Sequence, residues 1–423
     1  MLSTLRNAWK VPELRKRFLW TIFLVAIFRI GIHIPVPGID TSALSTLTES
    51  GGLLSFYNLI SGGAFTKASI LALSVSPYIN ASIIMQLLTI AIPSLEQLSK
   101  EGEEGRKKIQ SITRYVSIGI ACVLALGVYS TIANLGATSG VGTLEKIVVI
   151  FSLVVGSTFC MWLGDQITQK GFGNGVSILI FVNIVSQIPS TVNSVYTLKT
   201  AGEISIIEIL LFLVGVIALL AVTIFFSLAE RRVPIQYAGK AVGTKVMKGQ
   251  STHIPLSIIG SAVIAIIFAM SVMMFPTTIA AFFPSKGWAS WITSSKYSIF
   301  NTGTWMYPVC YAVLTVFFTW FYTQITFKPD EMAENLHKSA GFVPGIRPGE
   351  ATEKYFEKLL TKVSIIGGLF AAFLAVTPIL VGKYISGVQF GGTSLLILIG
   401  VALDFSRQLD SQLVMRHYDG FLK

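Results

Sequence analysis

SIIEILLFLVGVIALLAVTIFFSLAERR, residues 205–232, reads as one membrane crossing and its exit. From Ile209 to Leu228 the run carries no charge. Its length matches a hydrocarbon core of about 30 Å at about 1.5 Å of helical rise per residue. Glu230, Arg231 and Arg232 then close it abruptly. Basic residues stay on the cytoplasmic side during insertion, so this span ends inside.

The same reading extends along the chain. Ten apolar stretches stand out, at about 18–34, 68–92, 112–133, 147–164, 174–191, 205–229, 254–275, 304–326, 361–381 and 390–407. Threaded ten times through a bilayer, they leave 25 of the 32 lysines and arginines on one side, counting Arg114, Lys362 and Arg407 at the cytoplasmic ends of their spans, and 6 on the other, with Arg29 inside the first span. Both termini and the loops near 95–111, 229–253 and 327–361 are therefore expected in the cytoplasm. The net charge of +11 is mostly this topology signal and not a nucleic-acid footprint. Composition agrees, with 52% hydrophobic and 13% charged residues against about 25% charged in soluble domains. The first span follows Arg15, Lys16 and Arg17 but no small-x-small cleavage site follows it, so it is read as retained. Before it, Leu2, Leu5, Trp9 and Leu14 lie near helical spacing among basic residues, which suits a helix lying on the inner membrane surface.

The chemistry missing from the spans narrows the function. Ion- or proton-coupled transport usually places acids or bases near the membrane midplane. Here Asp165, Glu230 and Asp404 sit at cytoplasmic ends, and only Arg29 lies well inside a span, where it snorkels or pairs with a neighbouring helix. His33, His253, His337 and His417 show no zinc spacing, and Cys122, Cys160 and Cys310 no CxxC pairing. No phosphate-binding GxxxxGK[ST] loop is present, and GFGNG at 171–175 reads as a tight turn opening the next span. No cofactor or metal is expected. The second span is instead punctuated by Ser74, Ser76, Pro77, Asn80, Ser82 and Gln86. Polar groups in lipid need a partner or a cavity, so this helix belongs against protein or beside a water-filled path. Residues 53–65, LLSFYNLISGGAF, are too short to cross and end in Gly62 and Gly63; they form either an interfacial helix or one that folds back into the bundle.

The loop KEGEEGRKKIQSITRY (100–115), the turn GDQITQKGFGNGVSILIF (164–181) and above all NLHKSAGFVPGIRPGE (335–350) closely resemble the bacterial SecY family, the channel-forming subunit of the protein-export translocon. The similarity runs from FRIGIHIPVPGID to FGGTSLLILIGVALDF, essentially the whole chain. The resemblance implies an all-α integral membrane protein of ten transmembrane helices in two inverted five-helix halves, with a short re-entrant plug helix. The expected organisation is a cytoplasmic segment 1–17, a first half 18–191, an outer connection 192–204, a second half 205–407 and a cytoplasmic tail 408–423.

By the same resemblance, residues 53–65 match the plug that closes the pore from outside, including Phe56, Tyr57, Asn58, Leu59, Ile60, Ser61, Gly62 and Gly63, with the two glycines as its hinge. The constriction maps onto Val75, Ile79, Ile180, Ile267 and Ile397, with Ser271 a further lining position. A narrow aliphatic collar dewets and stops ions, yet can part around an extended polypeptide. Gln86 and Ile259 fall at the lateral gate; Ile259 and Ala265 stand where many relatives carry Asn and Pro, which argues against a polar latch. Arg347, between Pro344-Gly345 and Pro348-Gly349, is implied to engage the translocation partner, with Arg231, Arg232, Lys240, Lys245 and Lys248 on the other docking loop. The implied partners are SecE, a SecG-like subunit, the ATPase SecA, the ribosome with its RNA, signal sequences and nascent chains, and membrane lipid. The implied location is the bacterial plasma membrane, both termini cytoplasmic. A solute transporter built on an inverted repeat is the chief rival reading, and an intramembrane hydrolase a more distant one.

Overall fold

The computed structural model describes residue 9 and residues 11–39, 61–134, 142–200, 202, 205–237, 241–242, 245–246, 251–260, 262–282, 286–301, 303–384 and 392–421. Helices dominate: α1 Pro12–Gly31, α2 Ser76–Ala91, α3 Pro93–Lys100, α4 Glu103–Asn134, α5 Thr143–Lys170, α6 Gly175–Thr200, α7 Ile206–Leu228, α8 Ala262–Phe282, α9 Gly287–Ser294, α10 Met306–Phe327, α11 Pro329–Lys338, α12 Glu350–Tyr384 and α13 Gly392–Phe421. Five short strands interrupt them: β1 Glu230–Tyr237, β2 Ala241–Val242, β3 Lys245–Val246, β4 Ser251–Ser257 and β5 Gly341–Phe342. Among the described residues six helices are long and apolar enough to cross a membrane, or seven if the bent pair α2 and α3 counts as one span.

The chain forms two compact units. One comprises 1–197, 274–295 and 400–423, the other 198–273 and 296–399. In the first, the core joins the segment Phe65–Leu73 to α4 and α5 through Leu124, Ala125, Val128, Val149 and Leu153. Close approach is built in at Gly156, where a Cβ would fall on the carbonyl oxygen of Ile70. A second cluster ties α1 to α13, as Phe18 stacks on Phe172 at 5.1 Å and Phe172 meets Phe405 edge-on at 4.8 Å. In the second unit α10 packs along α12, and Gly368 lets the helices close until a Cβ would lie 3.1 Å from the Val316 backbone.

Two expected spans begin later than the apolar runs suggest. Residues 68–75 are not helical. Val36 N–H donates to Ala68 O at 2.7 Å and Ile70 N–H to Ile34 O at 3.0 Å, so this stretch pairs with the chain leaving α1. Ala68 and Ser74 then take φ of 46° and 50°, and α2 starts only at Ser76, with Pro77 in its first turn. Likewise 254–257 belong to β4, because Val233 pairs with Ile254 and Arg231 with Leu256; α8 starts at Ala262. A further addition to the all-helical expectation is the antiparallel sheet β4-β1-β5.

Candidate functional site

In the first unit the sequence around the expected collar is held by hydrogen bonds. Val75 is fully buried at the start of α2, and Ser74, equally buried, accepts from Asn183 Nδ2 at 3.4 Å. Ile180 lies three residues before Asn183, which places both on one face of α6. The Ser74–Asn183 bond therefore brings the chain carrying Val75 to the helix face carrying Ile180. Ile79 is half-buried one turn into α2, and Gln86 is exposed on the same helix, its Nε2 3.5 Å from Ser82 Oγ.

Of the residues expected to form a plug, Phe56, Tyr57, Asn58, Leu59 and Ile60 lie outside the described residues. Ser61, Gly62 and Gly63 form a turn, and Ser61 Oγ accepts from Phe65 N–H at 3.3 Å. The glycines have φ of 67° and 86°, a region that L side chains rarely enter. Arg29 reaches this turn. Its Nη1 donates to Ser186 Oγ at 2.9 Å, so of the two readings for this residue the structure takes the pair with a neighbouring helix. The sequence reading passed over Asn183, Ser186 and Gln187; their spacing of i, i+3 and i+4 within an apolar helix was the available signal.

In the second unit Ile267 and Ser271, one turn apart on α8, are half-buried, and Ile397 on α13 is buried beside Leu396, which joins the core containing Ala262, Ile266 and Met273. Ile259 is corrected in place: it lies in the turn before α8, not within the helix, buried in that core, with its carbonyl accepting from Ala262 N–H at 2.9 Å. It was drawn out of the helix because β4 claims the residues just before it.

The two loops expected to dock partners, 229–253 and 327–361, fold as one body. Val233 and Ile235 of β1, Leu256 of β4, Ala333 and Leu336 of α11, Val343 after β5, and Phe356 and Leu360 of α12 share a single apolar core. Tyr237 pairs with Gly341 to add β5 to the hairpin. Alternation in RVPIQY, with Val233 and Ile235 inward, was the missed sign of a strand. Arg231 and Arg232 are exposed on β1. Lys240 and Lys248 lie outside the described residues, as does the Lys245 side chain, although its backbone is in β3.

Arg347 projects from the turn between β5 and α12. Ile346 N–H closes on Val343 O at 3.1 Å, Gly345 and Gly349 take φ of 83° and 100°, and the Thr352 hydroxyl holds the Arg347 carbonyl at 2.9 Å. The arginine is exposed and makes no ion pair with the described residues. Beside it, Lys354 Nζ donates to Glu350 at 2.6 Å; that bond holds the Glu350 carboxyl below its usual range and raises the Lys354 ammonium. Among the described residues no three His, Cys, Asp or Glu side chains are placed to hold a metal ion.

The family model of SecY matches residues 69–406, the greater part of the chain. The chain belongs to the SecY family. Two curated SecY relatives are the protein translocase subunit of Rickettsia typhi, 40% identical over 420 residues and covering 97% of this chain and 96% of the relative, and that of Escherichia coli K12, 40% identical over 419 residues and covering 97% and 94%. The fold is shared with solved channels. One described as a protein conducting channel aligns with a TM-score of 0.66 at 18% identity over 97% of both chains. Sec61 in the canine ribosome-channel complex aligns with a TM-score of 0.60, also at 18% identity over 97% of both. With SecY membership and its apolar helices, the chain is a multi-pass, predominantly helical membrane protein.

Proposed function

We propose that this chain is a passive protein-conducting channel that moves unfolded secretory polypeptides across the bacterial plasma membrane and releases apolar segments sideways into lipid. The observation that carries the reading is the match to the SecY family over 69–406, with translocase subunits as 40%-identical relatives. In this reading ten spans form two inverted halves and both termini are cytoplasmic. Val75, Ile79, Ile180, Ile267, Ser271 and Ile397 form the collar, residues 53–65 the plug, and the chain around Gln86 and Ile259 the lateral gate. The rigid, exposed Arg347 and the shared core beneath it support a docking role, since a stiff backbone presents a guanidinium with little entropy to lose on binding. Arg231, Arg232, Lys240, Lys245 and Lys248 extend that surface toward SecA or ribosomal RNA. SecE completes the channel, with a SecG-like subunit as a further member.

Lateral release is a partition decision. Leu, Ile, Phe and Val each favour the bilayer by about 0.3–0.6 kcal/mol, while Arg, Lys or Asp costs about 2.5–3.5 kcal/mol at its centre, so one charge offsets roughly six apolar residues. The chain supplies the path, and SecA or the translating ribosome supplies the force. Reconstitution tests this: proteoliposomes holding the chain and SecE import a secretory precursor only with SecA and ATP. Flux of a small solute through the chain alone, without precursor import, favours the transporter.

A further inference from the structure

Gly62 and Gly63 lie along α6 where Asn183, Ser186 and Gln187 share one face. A Cβ on Gly62 would stand 2.6 Å from Asn183 Oδ1 and 3.0 Å from Arg29 Nη1, and one on Gly63 would stand 3.3 Å from Gln187 Nε2. The missing side chain is thus the space into which a guanidinium and an amide close on the turn. The hydroxyl that receives Arg29 is oriented: Ser186 spends its one proton on Asn183 O at 2.7 Å, which leaves its oxygen to accept from Nη1. Asn183 in turn donates to Ser74. Arg29 stands in the last turn of α1, and an ionisable side chain on a membrane helix calls for a partner; here the partners surround the end of one segment.

We propose that Arg29 is a positioning residue that seats the Gly62–Gly63 turn on α6, and so fixes the point from which the plug segment leaves the bundle. The proposal rests on the reading of 53–65 as a plug. It gives Gly62 a second duty beyond conformational freedom, because the seat needs the absent Cβ as well as the positive φ. Loss of the Arg29 donor frees the turn without removing any residue of the stopper.

Two readouts separate the seat from the stopper. Ser61 is almost wholly buried, so Ser61→Cys, in a chain with Cys122, Cys160 and Cys310 replaced, reports the seat by its reaction with an impermeant maleimide added outside. Arg29→Ala raises that rate about tenfold, the order expected for losing one charge-assisted hydrogen bond. Arg29→Lys, which keeps a cationic donor, gives an intermediate rate. Should Arg29→Ala accumulate poorly in the membrane, Ser186→Ala carries the same expectation. Unchanged labelling in both alanine variants overturns the proposal. In planar bilayers with SecE, Arg29→Ala raises idle conductance in the full chain and adds nothing when residues 56–62 are deleted; an equal rise in the deleted chain also overturns it. If the deletion by itself leaves conductance unchanged, the stopper reading fails, while the labelling still decides the seat.

Discussion

The hydroxyl of Thr352, in the first turn of α12, donates to the backbone carbonyl of Arg347 at 2.9 Å and locks the turn that presents the arginine. The bond is local, spanning five residues, and sits over the core that β1, β4, α11 and α12 share. The exposed side chain of Arg347 and the support of its backbone are thereby separate, and each is open to its own substitution.

Arg347→Glu leaves membrane abundance and SecE association near the parent level, since the side chain is exposed and the turn is held by backbone groups. SecA-driven export falls about tenfold or more, as expected for reversing a charge at an interface. Thr352→Val removes the lock, lowers stability by about 1 kcal/mol and reduces export less. Abundance that collapses together with export in Arg347→Glu shows a structural role instead.

Phe356 is fully buried where the two loops meet. Phe356→Ala costs about 3–5 kcal/mol locally and exposes both loops at once. Limited proteolysis from the cytoplasmic side should then cut within 230–257 and within 341–360 together. Cleavage of one loop with the other still protected contradicts the single shared core.

Gly156 and Gly119 make a matched pair. A Cβ at Gly156 collides with the Ile70 backbone, whereas one at Gly119 meets nothing within 4 Å. Gly156→Val should abolish accumulation of folded chain, and Gly119→Val should leave thermal unfolding in detergent within a few degrees of the parent. Equal behaviour of the two variants contradicts the close packing of α5 on the segment before α2.

Topology is read by labelling single cysteines in a cysteine-free chain. A cysteine at Glu350 should be shielded from an impermeant outside reagent, and one at Lys286 should react. Glu350 is the better probe than Gly349 beside it, whose φ of 100° a cysteine adopts only with strain. Outside labelling of position 350 overturns the ten-span orientation.

The collar is tested by Ile180→Asn. An amide there wets an aliphatic constriction and raises idle conductance, and it relaxes the demand for a strongly apolar signal sequence by destabilising the closed state. Combined with deletion of 56–62 the rise is more than additive if the two are successive barriers. A doubly altered channel that stays ion-tight places the pore elsewhere.

Hydropathy and charge are properties of short windows, so the sequence by itself determined that the chain is a helical membrane protein, roughly where its spans lie and which family it joins. FVPGIRPGE likewise marked Arg347, because Pro and Gly constrain their own backbone wherever they stand. Local windows are blind to pairing between distant segments. Residues 68–75 and 254–257 are as apolar as the helices they precede, and only hydrogen bonds to 34–36 and to β1 make them extended or turned. The joining of 230–257 to 341–360 depends on burying Val233, Leu256 and Phe356 in one core, which no single loop can do. Gly62 shows the same division: its type suggested a hinge, but that its missing Cβ admits Arg29 and Asn183 follows only from three segments, far apart in the chain, meeting at one point.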